Sequence, residues 1–100
     1  MDRTQELLDE MKSGNVACIK NVIVHEKQYL QINAVLFGIE HGLRDDEFIE
    51  AIDKLRSDDT YLMDFRLGSV AEAAYCYLKR IRYTGDDSLM RDLLACNFRL

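Results

Sequence analysis

The chain contains no proline and no tryptophan, and only five of its 100 residues are glycine. Without proline the strongest helix breaker is missing, and collagen-like or polyproline readings are excluded. No apolar run approaches the roughly 20 residues a membrane span requires, and Met1-Asp2-Arg3-Thr4-Gln5-Glu6 lacks the apolar core of a secretion signal. Cysteine is scarce: Cys18, Cys76 and Cys96 are odd in number and include no CxxC. That spacing fits neither a disulfide framework nor a zinc ribbon, and it points to a reducing cytoplasm. Positive charge is short as well. Thirteen Lys and Arg against 18 Asp and Glu leave a formal charge of −5, which argues against nucleic acid, whose phosphates demand a basic footprint. The same deficit suits a basic protein partner, because opposite fields speed encounter.

What is present reads as helix. The 48% hydrophobic and 31% charged residues are those of a folded globular chain, and 100 residues make a single domain. Leu7, Leu8 and Met11 share one face of a helix over 2–12, stopped by Ser13-Gly14. Asn15 opens a second stretch with Val16, Ile19, Val22 and Ile23, and His25-Glu26-Lys27-Gln28 is a polar break or a kink. Tyr29, Ile32, Val35, Leu36, Ile39 and Leu43 form the strongest stripe, with Ala34 and Gly38 as small positions and Gly42 as the stop.

Asp45-Asp46-Glu47 places three acids where a helix start favours them, ahead of Phe48, Ile49, Ile52 and Leu55. Ser57-Asp58-Asp59-Thr60 is a polar turn, and 61–66 is ambiguous, readable as one helical turn. Ser69 and Glu72 stand at capping-box spacing before Val70, Ala73, Ala74, Tyr77, Leu78 and Ile81, with Gly85 closing that helix. Asp86-Asp87 opens a last helix with Leu89, Met90, Leu93 and Leu94. The expectation is an all-α domain of five or six helices in antiparallel pairs, joined by loops of about 2–6 residues.

One segment appears twice. Glu50-Ala51-Ile52-Asp53-Lys54-Leu55-Arg56-Ser57 repeats Glu6-Leu7-Leu8-Asp9-Glu10-Met11-Lys12-Ser13 at an offset of 44 residues. Ala34, Gly38 and Ile39 correspond to Ala73, Tyr77 and Leu78 at an offset of 39. Periods of roughly 20–50 residues mark helical repeat arrays, which mostly bind macromolecules through one face.

These residues resemble the HEAT-repeat family, whose units are paired helices of about 40–47 residues. Asp45 to Leu55 resembles an outer helix. Arg66-Leu67-Gly68-Ser69-Val70-Ala71-Glu72-Ala73-Ala74 and Ile32-Asn33-Ala34-Val35-Leu36-Phe37-Gly38-Ile39 resemble inner ones. The chain departs from the family in having no proline in its turns, and residues 14–28 are long enough to hold an extra helix. Its small size, its acidity and the Leu67-Gly68-Ser69-Val70-Ala71 segment also resemble the immunity proteins that bacteria keep beside polymorphic toxins. That resemblance implies a cytoplasmic inhibitor of a basic toxin.

The candidate partner-binding residues are Asp45, Asp46, Glu47, Glu50, Asp53, Asp58, Asp59 and Tyr61, an acidic strip with a tyrosine anchor. Asp86 and Asp87 extend the same pattern, and Tyr75 and Tyr83 are further, partly exposed candidates, whereas Tyr29 and Tyr77 sit on apolar stripes. Lys79-Arg80-Ile81-Arg82-Tyr83 suits a helix C-terminus. His25 and His41 are sixteen residues apart, their adjacent acids Glu26 and Glu40 point in other directions on a helix, and Gly38 and Val22 stand where a Glu-x-x-His pattern needs an acid, so no metal or other cofactor is expected. Cys18 and Cys76 read as buried thiols, and no Gly-rich phosphate loop exists. The expected role is a non-enzymatic protein-binding module. The alternative is a self-associating structural or adaptor subunit, in which a copy of the chain covers an exposed helix edge.

Overall fold

Helical spacing becomes five helices in the computed structural model, which describes residues 3–62 and 65–81. They are α1 (Arg3–Lys12), α2 (Val16–His25), α3 (Gln28–Glu40), α4 (Asp46–Leu55) and α5 (Leu67–Lys79). Between α4 and α5 lies a minimal antiparallel hairpin, β1 (Tyr61–Leu62) and β2 (Phe65–Arg66), pairing Tyr61 with Arg66 and Leu62 with Phe65. The described chain is all-α apart from this hairpin. The expected final helix from Asp86-Asp87, together with Tyr83 and Cys96, lies outside the described residues.

Helix ends follow their chemistry. Asn15 caps α2 by accepting the Cys18 amide, and Asp45 caps α4 by accepting the Phe48 amide. Gly14 and Gly42 adopt φ of 91° and 80°, the left-handed residue that ends a helix. Beside Gly42, the Leu43 amide donates to Gly38 O and the Gly42 amide to Ile39 O, tying off two carbonyls of α3. The long segment 14–28 does hold an additional helix, α2, and the break after it is two residues wide.

Three expectations change. Residues 61–66 form the short hairpin rather than a helical turn. The Ser69–Glu72 capping box does not form, because α5 starts earlier: Arg66 occupies the cap position without a side-chain cap bond. The first amides of α5 are met by main-chain carbonyls instead, Leu67 N–H by Thr60 O and Gly68 N–H by Asp58 O. A Cβ on Gly68 would lie 2.6 Å from Arg56 O and 2.7 Å from Asp58 O, so glycine permits this approach. Finally, α5 ends at Lys79 rather than running to Gly85, and Arg80 takes the left-handed conformation at φ 59°.

The core is built around α3. Every residue from Leu30 to Gly38 is buried, including Gln31 and Asn33. Gln31 donates to Ile23 O and the Asn33 amide nitrogen donates to Tyr29 O, while Asn33 Oδ1 accepts no hydrogen bond among the described residues. Helix α3 packs on α1, α2 and α5, while α4 packs on α5 and α2. The Phe48 side chain of α4 is fully buried with its ring on Gly38, where a Cβ would overlap it. Met11, Ile19, Ile52, Leu67 and Val70 complete the apolar centre.

Candidate functional site

Helix α4 carries the acids, and its position decides which of them face open space. Phe48, Ala51, Ile52 and Leu55 point into the core, so Asp46, Ile49, Glu50 and Asp53, at i, i+3, i+4 and i+7, share the opposite stripe. That stripe forms one wall of an open groove of about 300 Å³, with Tyr75 and Lys79 of α5 as the other. Ile49 and Tyr75 are both half-buried against the core and give the groove an apolar floor. Three carboxylates above an aromatic and an aliphatic side chain make a surface that attracts cations and holds an apolar stem.

Arg56 touches two of the residues that line the groove, Asp53 and Tyr75. Its guanidinium donates to Glu72 Oε2 at 2.6 Å and to Asp53 Oδ1 at 2.7 Å, and it lies 4.3 Å from the centroid of the Tyr75 ring. These two carboxylates push the Arg56 pKa up. The segment just after α4 is thereby joined to α5 by an ion pair.

The remaining candidate residues occupy other settings. Asp45 accepts an ion pair from Lys20 of α2 at 2.8 Å, and Glu47 lies 3.8 Å from the same ammonium. The Lys20 bond is the main reason the Asp45 carboxyl titrates below its ordinary range. Asp58 accepts the Thr60 amide at 2.8 Å and is likewise lowered, chiefly by hydrogen bonding to the Thr60 side chain. Asp59 pairs with Arg66 across the loop at 3.1 Å, and Tyr61 is 69% exposed on β1. The candidate acids therefore divide into the groove set, the Lys20 set and the turn set. Among the described residues, no ion pair engages Asp46 or Glu50 (the two acids with most to offer a partner).

Other side chains take the structural roles their surroundings dictate. Cys18 and Cys76 are buried. Desolvation pushes the Cys18 thiol up to about 11 and raises Cys76 as well, the reverse of an activated nucleophile. His41 Nε2 lies 3.0 Å from Lys12 O, joining the ends of α1 and α3. No group of three or more His, Cys, Asp or Glu converges to hold a metal among the described residues, and no helix among them is long and apolar enough to cross a membrane.

One tyrosine moves from its expected place, and another keeps it. Tyr77, expected in the core, is 55% exposed and lies 5.2 Å from the Arg44 guanidinium. Its stripe on α5 is broader than the core it faces. Tyr75 is half-buried and shared between Arg56 and the groove. Lys79 as a groove wall and the Arg56 bond to Glu72 were not evident from spacing alone, since both depend on how α5 lies along α4. Compared with known proteins, the chain matches no family, no curated protein and no solved structure.

Proposed function

We propose that this protein is a non-enzymatic binding module whose α4–α5 groove docks a basic protein partner, in the manner of an immunity-type inhibitor of a basic toxin. The observation that carries this reading is the groove itself. Asp46, Glu50 and Asp53 line one wall over Ile49 and Tyr75, so a cation and an apolar anchor can be held together. The half-buried tyrosine supplies contact area at low entropic cost, while the acids set encounter rate and discrimination.

The HEAT-like part of the proposal draws on packing. Helices α2 and α3 are neighbours, as are α4 and α5, and the two pairs meet through α2 on α4 and through α3 on α5. That is the contact pattern of two stacked helix pairs. Arg56, just past the end of α4, meets Glu72 in the first half of α5, and Arg44, ahead of α4, reaches Leu78 O near the end of α5. This supports opposite directions for the two helices.

The test is affinity capture from the source cells at low and high salt, with identification of the bound protein. A basic protein released by salt, and no longer captured by an Asp46→Lys, Glu50→Lys variant, is the expected result. Capture that ignores both salt and the double reversal would remove the acidic groove from the mechanism. Recovery of the chain alone, with a sedimentation coefficient rising with concentration, would favour the self-associating alternative.

A further inference from the structure

The groove also restricts the shape of what can fill it, an inference that rests on the docking reading above. Along α4 the order of groove-facing residues is acid, apolar, acid, acid: Asp46, Ile49, Glu50, Asp53. With a rise of about 1.5 Å per residue, Glu50 lies about 6 Å and Asp53 about 10.5 Å along the axis from Asp46. A ligand that answers all three carboxylates and places an apolar group over Ile49 must repeat cation, apolar, cation within that length.

An extended chain rises about 3.3 Å per residue and shows every second side chain to one face. Cation, apolar and cation on one face then span about 13 Å, which overshoots the stripe. A helix shows residues i, i+3, i+4 and i+7 along a single face over about 10.5 Å. We propose that the occupant is a basic amphipathic α-helix of the partner, laid along α4 and α5. Two of its cations, one turn apart, pair with Asp46 and Glu50, and an apolar side chain between them rests on Ile49 and Tyr75.

Charge complementarity also assigns a part to the groove's own cation. Lys79 stands on the α5 wall opposite the acids, where it competes with an incoming ammonium or guanidinium for the same carboxylates. Asp53, already held by Arg56, is the weakest of the three attachment points for the partner.

The test uses the full chain and two peptides of identical composition and net charge. In one, Arg residues occupy i, i+4 and i+7 with Leu at i+3. In the other, the same residues alternate as in a strand. Binding is followed by fluorescence anisotropy of the labelled peptides, with helix formation read by circular dichroism. The helical register is expected to bind about tenfold more tightly, equal to about 1.4 kcal/mol, and to gain helicity on binding. Lys79→Gln should tighten it several-fold more than Lys54→Gln, which changes net charge equally on an exposed residue that does not line the groove.

Equal, salt-dependent binding of both peptides, lost in Asp46→Lys, Glu50→Lys, would overturn the helical occupant while leaving the acidic groove standing. Equal effects of Lys79→Gln and Lys54→Gln would overturn the part given to Lys79. Binding of neither peptide would remove the groove as a docking site and with it the helical occupant.

Discussion

Single residues in this chain are held mostly by short-range charge and hydrogen bonding, and three acids carry that into a dependence on pH. Glu26 is lowered chiefly by its bond to Arg3, Asp45 by Lys20 and Asp58 by the Thr60 side chain. A carboxyl with a depressed folded-state pKa adds stability above its unfolded value, about 3.9 for Asp and 4.3 for Glu. That stability is lost as the pH falls through the lower folded value, when both states bind the proton alike. Thermal midpoints should therefore fall steadily below about pH 4. In Asp58→Asn the neutral-pH midpoint should be lower and the fall on acidification shallower. Parallel pH profiles for the two proteins would show that Asp58 contributes nothing through its charge. Arg56 shows the limit of reading residues from sequence: a basic residue after a helix suits the dipole anywhere. Its grip on Glu72, sixteen positions away, exists only once α5 has folded back.

At the scale of the element, helix beginnings and ends were legible where a side chain or glycine acts within its own turn. Asn15, Asp45, Gly14 and Gly42 do so, and α1 to α4 lie close to where their spacing puts them. The start and end of α5 were not legible. Its start is fixed by carbonyls of Asp58 and Thr60 on another segment, which no local cap pattern encodes. Its end is fixed by Arg80 in a left-handed turn, where the Ile81 amide donates to Cys76 O. A residue with a Cβ loses roughly 1–2 kcal/mol there, and glycine would offset part of its own advantage through unfolded-state entropy. Arg80→Gly should raise stability by about 0.5–1 kcal/mol, measured by urea unfolding at constant slope. A loss of stability would mean that the Arg80 side chain contributes more than its backbone costs.

For the whole molecule, the decisive contacts join elements through residues too small to stand out. Gly38 admits the Phe48 ring, and Phe48 has no solvent side into which to withdraw. Gly38→Ala should destabilise by about 1–3 kcal/mol, and Gly38→Ala combined with Phe48→Leu should recover part of the loss. Full additivity in that cycle would deny the contact its role. Fold class and helix order were readable because periodicity reports which face is buried. The acids of the groove were readable as residues. The groove was not, because Tyr75 and Lys79 join Asp46 and Glu50 only through the packing of α5 on α4.

The tie between α5 and the loop before it is made by main-chain atoms: Leu67 and Gly68 donate to Thr60 and Asp58. The positions between and beside those acceptors, 59 and 61, contribute nothing to the two bonds. Asp59, with its side chain 90% exposed, and Tyr61 lie on this stretch outside the core. Substitutions at 59 and 61 can therefore accumulate without disturbing the register of the helices. A lineage of such proteins could change what it recognises along this rim while keeping one scaffold.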